Sequence, residues 1–268
     1  MRKIPQFLIT AFLVFYHTLA FCQSSEISID VGTHDLHFYV SPGNGTPIIF
    51  ESGGGNDGTV WKEVIALLRQ QTDAPLIAYD RAGFGTSGID TTCVNITSEV
   101  EDLQTALQQL TTSRDYFLVA HSLGGNYAMK FISNAPERVK GAVFIDVVSP
   151  CFMTEQRATA TKQLFMDSLA VIKKESIGFY HLVLNYENTS KVMREVAGSI
   201  ETPLTVIASG KTPFEGTDRE QFLNGLKRFA EDKKNRRYVL VEDADHYVFY
   251  DELQLVVDEI IRLYNRVH

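Results

Sequence analysis

The sequence has few cysteines and few cations. Three cysteines occur in 268 residues, and the first, Cys22, ends an apolar N-terminal stretch. The other two, Cys93 and Cys151, are too few for a structural zinc site built on Cys and His ligands. Lysine and arginine total 25 against 33 aspartates and glutamates, which gives a net charge of −8. Such a charge repels nucleic acid and anionic membrane surfaces, so we expect neither as a partner.

The sequence also lacks internal repeats, low-complexity tracts and nucleotide-binding motifs. Its glycine-rich segment ESGGGNDG, residues 51–58, matches neither the P-loop nor the dinucleotide fingerprint. We therefore expect no bound nucleotide. With 268 residues, 44% of them hydrophobic, the chain is long enough for one large α/β domain.

The first residues have the order of a secretory signal. MRKIPQFLITAFLVFYHTLAFCQSS begins with two cations, continues with an apolar stretch and ends with small and polar residues. We predict a signal peptide over residues 1–22 and a secreted or periplasmic domain over 23–268. A retained membrane anchor and a lipoprotein are the alternatives, although the short apolar core argues against a stable membrane span. In an oxidising compartment Cys93 and Cys151 either form a disulfide or stay free.

From residue 26 onward, short β-like runs alternate with helical ones. The first two, EISIDV and HDLHFYV, alternate apolar and polar residues, as a half-exposed hairpin does. The later runs are uniformly apolar, which is typical of strands buried on both faces of a parallel sheet. They are PIIFE, PLIAYD, YFLVA, GAVFIDVV, PLTVIAS and RYVLVE. This order predicts a three-layer α/β sandwich with a mostly parallel eight-stranded sheet and an N-terminal antiparallel hairpin.

Two regions between and after these runs have helical periodicity. Apolar residues recur at three- and four-residue steps over 100–110 and 253–264. Ser98 and Glu101 have the spacing of a capping box, which predicts that the first of these helices begins there.

Residues 150–199 interrupt the alternation of strands and helices. They contain helical patterns but no strand-like run. An insertion of this kind is typical of a lid over the C-terminal edge of the sheet, where open α/β sheets bind ligands. Helices that only complete the packing are the alternative.

The segment YFLVAHSLGGNYAMKF, residues 116–131, places a serine between a predicted strand and a predicted helix. Its pentapeptide AHSLG fits the pattern small-x-Ser-x-Gly, a sharp turn that lifts a nucleophilic serine, here Ser122, above a sheet. A purely structural Ser-Gly turn is the alternative. Because a serine hydroxyl is a weak nucleophile, it needs a base. His246 follows the last predicted strand and is our candidate, since it reaches the same sheet edge.

An oxyanion formed by attack on an acyl group needs preorganised N–H donors. Leu123 follows the candidate nucleophile at the start of a predicted helix, so its backbone N–H is the first candidate. The glycine-rich loop after PIIFE lets the backbone approach a substrate closely, and Gly54 is the second candidate.

Together these segments resemble the α/β-hydrolase family over nearly the whole of residues 23–268. The resemblance rests on the glycine-rich loop, YDRAGFGTSG at 79–88, AHSLGG at 120–125 and DADHYVFYDELQLVVDEI at 243–260. Where many members have His-Gly after the third strand, this sequence has ESG at 51–53. The resemblance implies an α/β-hydrolase sandwich with a triad in the order serine, acid, histidine.

The position of the acid differs among proteins of this family. Many place it after the seventh strand, where this sequence reads ASGKTPFEGTDRE with no aspartate at the expected point. A smaller group, similar to haloalkane dehalogenases and some esterases, places it after the sixth strand. The resemblance therefore implies Asp146 as the residue that orients the histidine, with Asp218 and Glu215 as alternatives.

Because the candidate nucleophile is a serine, the resemblance implies an acyl-enzyme and implies no metal and no organic cofactor. We expect a serine hydrolase in which Ser122 attacks a carboxylic ester or thioester, His246 transfers the proton and Asp146 orients His246. The alternatives are acyl transfer to an alcohol or amine, an aminopeptidase-type hydrolase on the same triad, and a non-catalytic binding protein of the same fold.

The substrate that we expect is a small molecule with an apolar acyl or aryl group. Aromatic and methionine side chains in the insertion favour such a pocket, although they fit ordinary helix packing as well. They are Phe152, Met153, Phe165, Met166, Phe179 and Tyr180.

Overall fold

The structure is a computed structural model that describes residues 25–268, so the predicted signal peptide lies outside the described residues. Residues 25–268 form eight strands and nine α-helices. The strands are β1 (Ser25–Asp30), β2 (Asp35–Ser41), β3 (Ile48–Glu51), β4 (Leu76–Tyr79), β5 (Tyr116–His121), β6 (Val139–Ile145), β7 (Leu204–Lys211) and β8 (Arg236–Asp245). The helices are α1 (Lys62–Leu68), α2 (Ile96–Leu110), α3 (Gly124–Asn134), α4 (Glu155–Met166), α5 (Leu169–Glu175), α6 (Ile177–Ala197), α7 (Gly216–Glu231), α8 (Val248–Asp251) and α9 (Leu253–Val267).

All eight strands belong to one sheet, in the order β1-β2-β4-β3-β5-β6-β7-β8. β1 and β2 form the predicted hairpin, with Ser25 opposite Val40 and Asp30 opposite Asp35, and β2 is also antiparallel to β4. The remaining neighbours are parallel. The prediction of a mostly parallel sheet with an antiparallel N-terminal pair is therefore confirmed.

The uniformly apolar strands are buried on both faces of the sheet. Ile49 and Leu118 face the layer that contains α2, α3 and α7, whereas Phe50 and Val119 face the layer that contains α1 and α9. Neighbouring residues of one strand point to opposite faces, so each strand needs apolar residues at consecutive positions to bury both. This confirms the three-layer sandwich.

The predicted start of α2 is wrong. The helix begins at Ile96, and its N-cap is Asn95 rather than Ser98. The Asn95 side chain accepts hydrogen bonds from the N–H groups of Thr97 and Ser98 at 3.0 and 3.2 Å, and the Ser98 hydroxyl accepts from the Asn95 N–H at 3.2 Å. Asparagine caps at least as well as serine, and the earlier start also buries Ile96 completely.

The insertion between β6 and β7 consists of α4, α5 and α6. α4 packs on α6, and α6 packs on α3. The N–H of Gly178, at the start of α6, donates to the carbonyl of Gly83 at 3.1 Å. Gly83 follows β4, so the insertion lies against the C-terminal edge of the sheet. The position of these helices agrees with the predicted insertion, and their role as a lid stays a prediction.

Cys93 and Cys151 are both free and exposed, so the described residues contain no disulfide between them. Cys93 lies in the loop before α2, and Cys151 lies between β6 and α4. Over residues 25–268, no helix has the length and the apolar character needed to cross a membrane.

Candidate active site

Ser122 lies on a tight turn between β5 and α3. Its φ is 53°, in the left-handed region that L-residues other than glycine rarely adopt. The Ser122 N–H donates to the carbonyl of Ile145 at 3.0 Å, which ties the turn to β6. A Cβ atom at Gly124 would lie 2.5 Å from the carbonyl oxygen of Ser52 and 2.7 Å from that of Glu51. The glycine of the small-x-Ser-x-Gly pattern is therefore required by the close approach of the loop after β3.

Asp146 repeats this arrangement at the end of the next strand. Its φ is 45°, and among residues 25–268 Ser122 and Asp146 are the two non-glycine residues with positive φ. The Asp146 N–H donates to the carbonyl of Ile207 on β7 at 2.7 Å. The two turns therefore present Ser122 and Asp146 at the same edge of the sheet, at neighbouring strand ends.

The Asp146 carboxylate is completely buried and held by Ser209 at the end of β7. Oδ1 accepts from the backbone N–H of Ser209 and Oδ2 from its hydroxyl, each at 2.9 Å. Sequence reasoning missed Ser209. Its place at the end of PLTVIAS, beside the strand that carries Asp146, is the signal that was available.

His246 joins the two residues. Its Nδ1 lies 2.7 Å from Oδ2 of Asp146, and its Nε2 lies 2.9 Å from the hydroxyl oxygen of Ser122. The tautomer with the proton on Nδ1 satisfies both contacts, because Nδ1–H donates to the carboxylate and Nε2 accepts from the hydroxyl. The structure thus brings together the three predicted side chains in the geometry of nucleophile, base and orienting acid, and their catalytic roles stay a prediction.

The alternative acids lie elsewhere. Oδ1 of Asp218 accepts a hydrogen bond from Arg157 at 2.7 Å, and this bond holds the pKa of the Asp218 carboxyl below its usual value. Glu215 stands at the N-cap of α7 without a capping hydrogen bond from its side chain. A triad acid must accept a hydrogen bond from Nδ1 of His246, and Asp146 occupies that position.

The two predicted oxyanion residues are neighbours. A Cβ atom at Gly54 would lie 3.1 Å from Cδ2 and 3.3 Å from Cβ of Leu123, so the glycine-rich loop lies directly against the residue after Ser122. Leu123 is the N-cap of α3, where the first N–H groups have no acceptor within the helix. The proximity agrees with a shared oxyanion site, which stays a prediction.

Ser122 and His246 line a cavity of 290 Å³. The other lining residues come from the glycine-rich loop and from the neighbours of the two candidates: Gly53, Gly54, Gly55, Asn56, His121 and Tyr247. The Tyr247 hydroxyl donates to Oδ1 of Asn56 at 3.1 Å, so the loop after β3 is bonded to the loop that carries His246. Among the described residues, no cluster of three or more His, Cys, Asp or Glu side chains is placed to hold a metal ion.

The aromatic and methionine side chains of the insertion are absent from the lining of this cavity within the described chain. Phe152 and Met153 are buried in the core, where Phe152 packs against Phe214 and Phe222. A second cavity of 390 Å³ shares Gly55 with the first and is lined in part by Phe84 and Ile177. Charged side chains, among them Asp57, Lys173, Lys174 and Glu175, line the same cavity, so its apolar surface is confined to the turn after β4 and the start of α6.

His121, inside the AHSLG motif, is buried against His246. It is 1% exposed, its Nε2 donates to the carbonyl of His246 at 3.0 Å, and the two rings lie 4.6 Å apart. Burial lowers the pKa of His121 to about 3, with the nearby His246 as the next contribution. The ring is therefore neutral near pH 7. Sequence reasoning assigned His121 no role, because it occupies a variable position of the motif.

Known proteins share parts of this sequence and most of this fold. A family model described as alpha/beta hydrolase fold matches residues 46–169, which include the glycine-rich loop, Ser122 and Asp146. RutD of Azorhizobium caulinodans, provisionally named a carbamate hydrolase, is 31% identical over 115 residues, which are 43% of this chain and 42% of RutD. The chain thus matches about two fifths of the length of that curated relative.

Solved structures match over a larger share of the chain. A thermophilic esterase from Thermogutta terrifontis is similar with a TM-score of 0.68 and 18% identity, covering 91% of this chain and 100% of the esterase. The enol-lactonase from Burkholderia xenovorans is similar with a TM-score of 0.64 and 15% identity, covering 89% of this chain and 100% of the lactonase. Likeness at such identities shows the fold alone. The chain therefore has the α/β-hydrolase fold, and its residues 46–169 match the model of the family that bears that name.

Proposed function

We propose that the protein is a serine hydrolase that cleaves a carboxylic ester or thioester through an acyl-enzyme on Ser122. The observation that carries the proposal is the continuous hydrogen-bonded line from the Ser122 hydroxyl through His246 to Asp146, at 2.9 and 2.7 Å. Fold relatives named as an esterase and an enol-lactonase support the same reaction class.

In this mechanism the Ser122 hydroxyl oxygen attacks the acyl carbon while Nε2 of His246 accepts the hydroxyl proton. Asp146 holds the Nδ1–H bond and stabilises the imidazolium that forms. The N–H groups of Leu123 and Gly54 bind the oxyanion of the tetrahedral intermediate. His246 then gives the proton to the leaving alcohol or thiol, and water hydrolyses the acyl-enzyme by the same steps in reverse order.

Ser209 has a positioning role in this scheme. Its N–H and hydroxyl each hold one oxygen of the Asp146 carboxylate, so the carboxylate plane cannot rotate away from Nδ1. Because Ser209 donates to both oxygens, each oxygen of the buried carboxylate has a hydrogen-bond donor in addition to His246.

We propose a small-molecule substrate. The 290 Å³ cavity at Ser122 has a lining rich in backbone and polar groups, which suits the ester group itself. An acyl or aryl group would extend past Gly55 into the adjoining 390 Å³ cavity, where Phe84 and Ile177 supply apolar surface beside the charged side chains of Asp57, Lys173, Lys174 and Glu175. A panel of esters graded by acyl length tests this assignment, since turnover should rise with chain length until the second cavity is filled.

We also propose that the protein acts after export, in the periplasm or the medium, without a membrane span and without a nucleic-acid partner. The basis is the composition of residues 1–22 and the net charge of −8. N-terminal sequencing of the protein from its host should find a start near Gln23. An intact Met1 or a lipid on Cys22 would contradict the proposal.

Labelling with a fluorophosphonate probe tests the chemistry directly. The probe should label the wild-type protein and a Ser133→Ala variant, because Ser133 lies in α3 away from the cavity lining. Labelling should be lost in Ser122→Ala and in His246→Ala. Persistent labelling of Ser122→Ala would show that the nucleophile is another residue. Product analysis with competing alcohols and amines then separates hydrolysis from acyl transfer.

A further inference from the structure

Arg81 is a buried cation to which the mechanism above gives no role. It follows β4 in the segment DRAGFGTSG, is 2% exposed and lies beneath the glycine-rich loop that follows β3. Taking a charged group out of water costs several kcal/mol unless its donors are used in hydrogen bonds. The partners of Arg81 therefore indicate what its burial stabilises.

The guanidinium of Arg81 binds three consecutive residues of that loop. Nη1 donates to the Glu51 carboxylate at 2.7 Å and to the carbonyl of Ser52 at 2.5 Å. Nη2 donates to the carbonyl of Gly53 at 2.6 Å. Glu51 is itself buried and also accepts from the hydroxyl of Tyr79. Glu51, the last residue of β3, thus supplies the anion that pairs with Arg81.

Two aromatic rings fix the guanidinium in place. Its central carbon lies 5.1 Å from the ring centroid of Phe84 and 5.0 Å from that of Tyr127, within the range of a cation–π contact. Ser52 is also held from another direction, because the fully buried Trp61 donates to its hydroxyl at 3.1 Å. The backbone immediately before Gly54 is therefore held by buried groups on more than one side.

We propose that Arg81 is a positioning residue that orients and polarises the Gly54 N–H as an oxyanion donor; this inference rests on the proposed hydrolase function. The carbonyl of Gly53 and the N–H of Gly54 belong to one planar trans peptide, so they point in opposite directions. Anchoring the Gly53 oxygen on a buried cation fixes the plane of that peptide and with it the direction of the Gly54 N–H.

The positive charge adds a second effect. A charge-assisted hydrogen bond to the Gly53 carbonyl draws electron density through the peptide and makes the Gly54 N–H a stronger donor. Arginine is suited to this because its planar fork binds neighbouring oxygens and keeps its charge when buried. Arg81 thus acts on the reaction through Gly54 and has no contact with the reacting atoms.

Arg236 offers a matched control, because it also binds two backbone carbonyls and an aromatic ring but lies away from the site. Its Nη1 and Nη2 donate to the carbonyls of Phe229 and Ile200 at 2.7 and 2.6 Å, and its guanidinium lies 4.5 Å from the Phe229 ring centroid. It stands at the first residue of β8, at the sheet edge opposite Ser122. Loss of either arginine removes two hydrogen bonds to backbone carbonyls, but only Arg81 makes them to the glycine-rich loop.

The test compares Arg81→Met combined with Glu51→Gln, Arg81→Lys, and Arg236→Met. The double variant removes both charges, so that neither is left buried without a partner. We expect its kcat to fall about 100- to 1000-fold with KM changed less than about threefold, as loss of one oxyanion donor requires. Arg81→Lys keeps one charged contact, so its kcat should lie between those of the double variant and the wild type, about tenfold below the wild type. Arg236→Met should lower the melting temperature and leave kcat within about twofold.

Hydrogen–deuterium exchange over residues 52–57 provides a readout that is independent of turnover. Exchange should be faster than wild type in the double variant and unchanged in Arg236→Met. Unchanged kcat in the double variant, an equal kcat loss in Arg236→Met, or unchanged exchange would each overturn the proposal. If the double variant does not fold, Arg81→Lys decides, because wild-type kcat and exchange in that variant would overturn it.

Failure of the proposed function gives a different result. Wild-type protein would then show no ester turnover that depends on Ser122, whatever the state of Arg81. In that case faster exchange over 52–57 in the Arg81 variants alone would still support the holding of the loop, and unchanged exchange would refute it.

Discussion

The C-terminal edge of the sheet and the helical insertion beside it differ in backbone conformation and in the burial of their side chains. At the edge, Ser122 and Asp146 adopt left-handed backbone, and both side chains have short hydrogen bonds to His246. In the insertion, as far as the structure describes it, α5 buries none of its residues and α4 buries Ala158 alone. Leu164 and Val171 are 80% and 56% exposed.

The difference reflects what each region must do. Non-glycine residues in left-handed backbone cost about 1–3 kcal/mol each and persist only where the surroundings over-determine them. At the edge, strand-to-strand hydrogen bonds from the N–H groups of Ser122 and Asp146 provide that constraint. The helices α4 and α5 have no residue in left-handed backbone and bury Ala158 alone, so their sequences are freer to change with the substrate. Paired substitutions in the two regions test this contrast.

The largest difference should appear between Asp146→Asn and Asp218→Asn. Asparagine keeps the shape of Asp146 but presents an amide that favours the wrong tautomer of His246, so kcat should fall about 10⁴-fold. Asp218 pairs with Arg157 of the insertion at an exposed position, and its loss should change kcat less than about twofold. Steady-state ester hydrolysis measures both. A large loss of kcat in Asp218→Asn together with a small loss in Asp146→Asn would show that Asp218 is the acid. It would contradict the assignment of the site to the sheet edge alone.

The next largest difference between the two regions should be in the free energy of unfolding of glycine-to-alanine variants. A Cβ at Gly124 would meet two backbone carbonyl oxygens at 2.5 and 2.7 Å, so Gly124→Ala must displace the loop after β3. We expect it to lower the free energy of unfolding by about 3 kcal/mol or more. Gly198, at the end of α6, has φ −68° and no atom within 4 Å of an added Cβ. Gly198→Ala should therefore stabilise the protein by about 0.4–1 kcal/mol.

Urea unfolding of both glycine variants checks this prediction. The Gly124 variant should unfold at a lower midpoint with an unchanged slope, and the Gly198 variant at a slightly higher one. Equal effects of the two substitutions would show that the edge is no more constrained than the insertion.

Local patterns in the sequence were enough to predict the strands and two of the site residues. Uniform apolar runs predicted the strands because a parallel sheet must bury both faces. Ser122 and His246 were found because each lies in a motif next to a strand end. Asp146 needed the family resemblance, since an aspartate at a strand end is common for structural reasons.

The remaining site residues act through contacts between distant segments, which periodicity does not record. Ser209 lies 63 residues from Asp146, and Arg81 lies 28 residues from Gly53. Ordinary packing of the insertion's aromatic residues was one of the two interpretations of the sequence, and Phe152 packs in this way. Its partners Phe214 and Phe222 follow β7 in the sequence, so periodicity could not identify them. The start of α2 was mispredicted for a local reason, since Asn95 and Ser98 are competing capping residues.

The smallest predicted difference is in the pH dependence of stability and concerns His121 at the edge and His181 in the insertion. Burial lowers the pKa of His121 to about 3, so the folded protein keeps this ring neutral where the unfolded chain, with a pKa near 6.5, binds a proton. The unfolded state therefore takes up one more proton between about pH 6.5 and 3, and stability falls as pH falls through that window. Partial burial, with Lys173 nearby, lowers the pKa of His181 as well, but the side chain is largely solvated.

Urea unfolding at several pH values between 4 and 6 measures the two contributions as slopes. His121→Gln should flatten the slope by up to about 1.4 kcal/mol per pH unit, the value for one proton, and His181→Gln should flatten it less. The slopes of variants must be compared with the wild type, because burial raises the pKa of Glu99 to about 7 and this group acts with the opposite sign between about pH 4.5 and 7. An equal flattening in both variants would mean that the His121 side chain is as solvated as that of His181. It would contradict the buried position of His121 against His246.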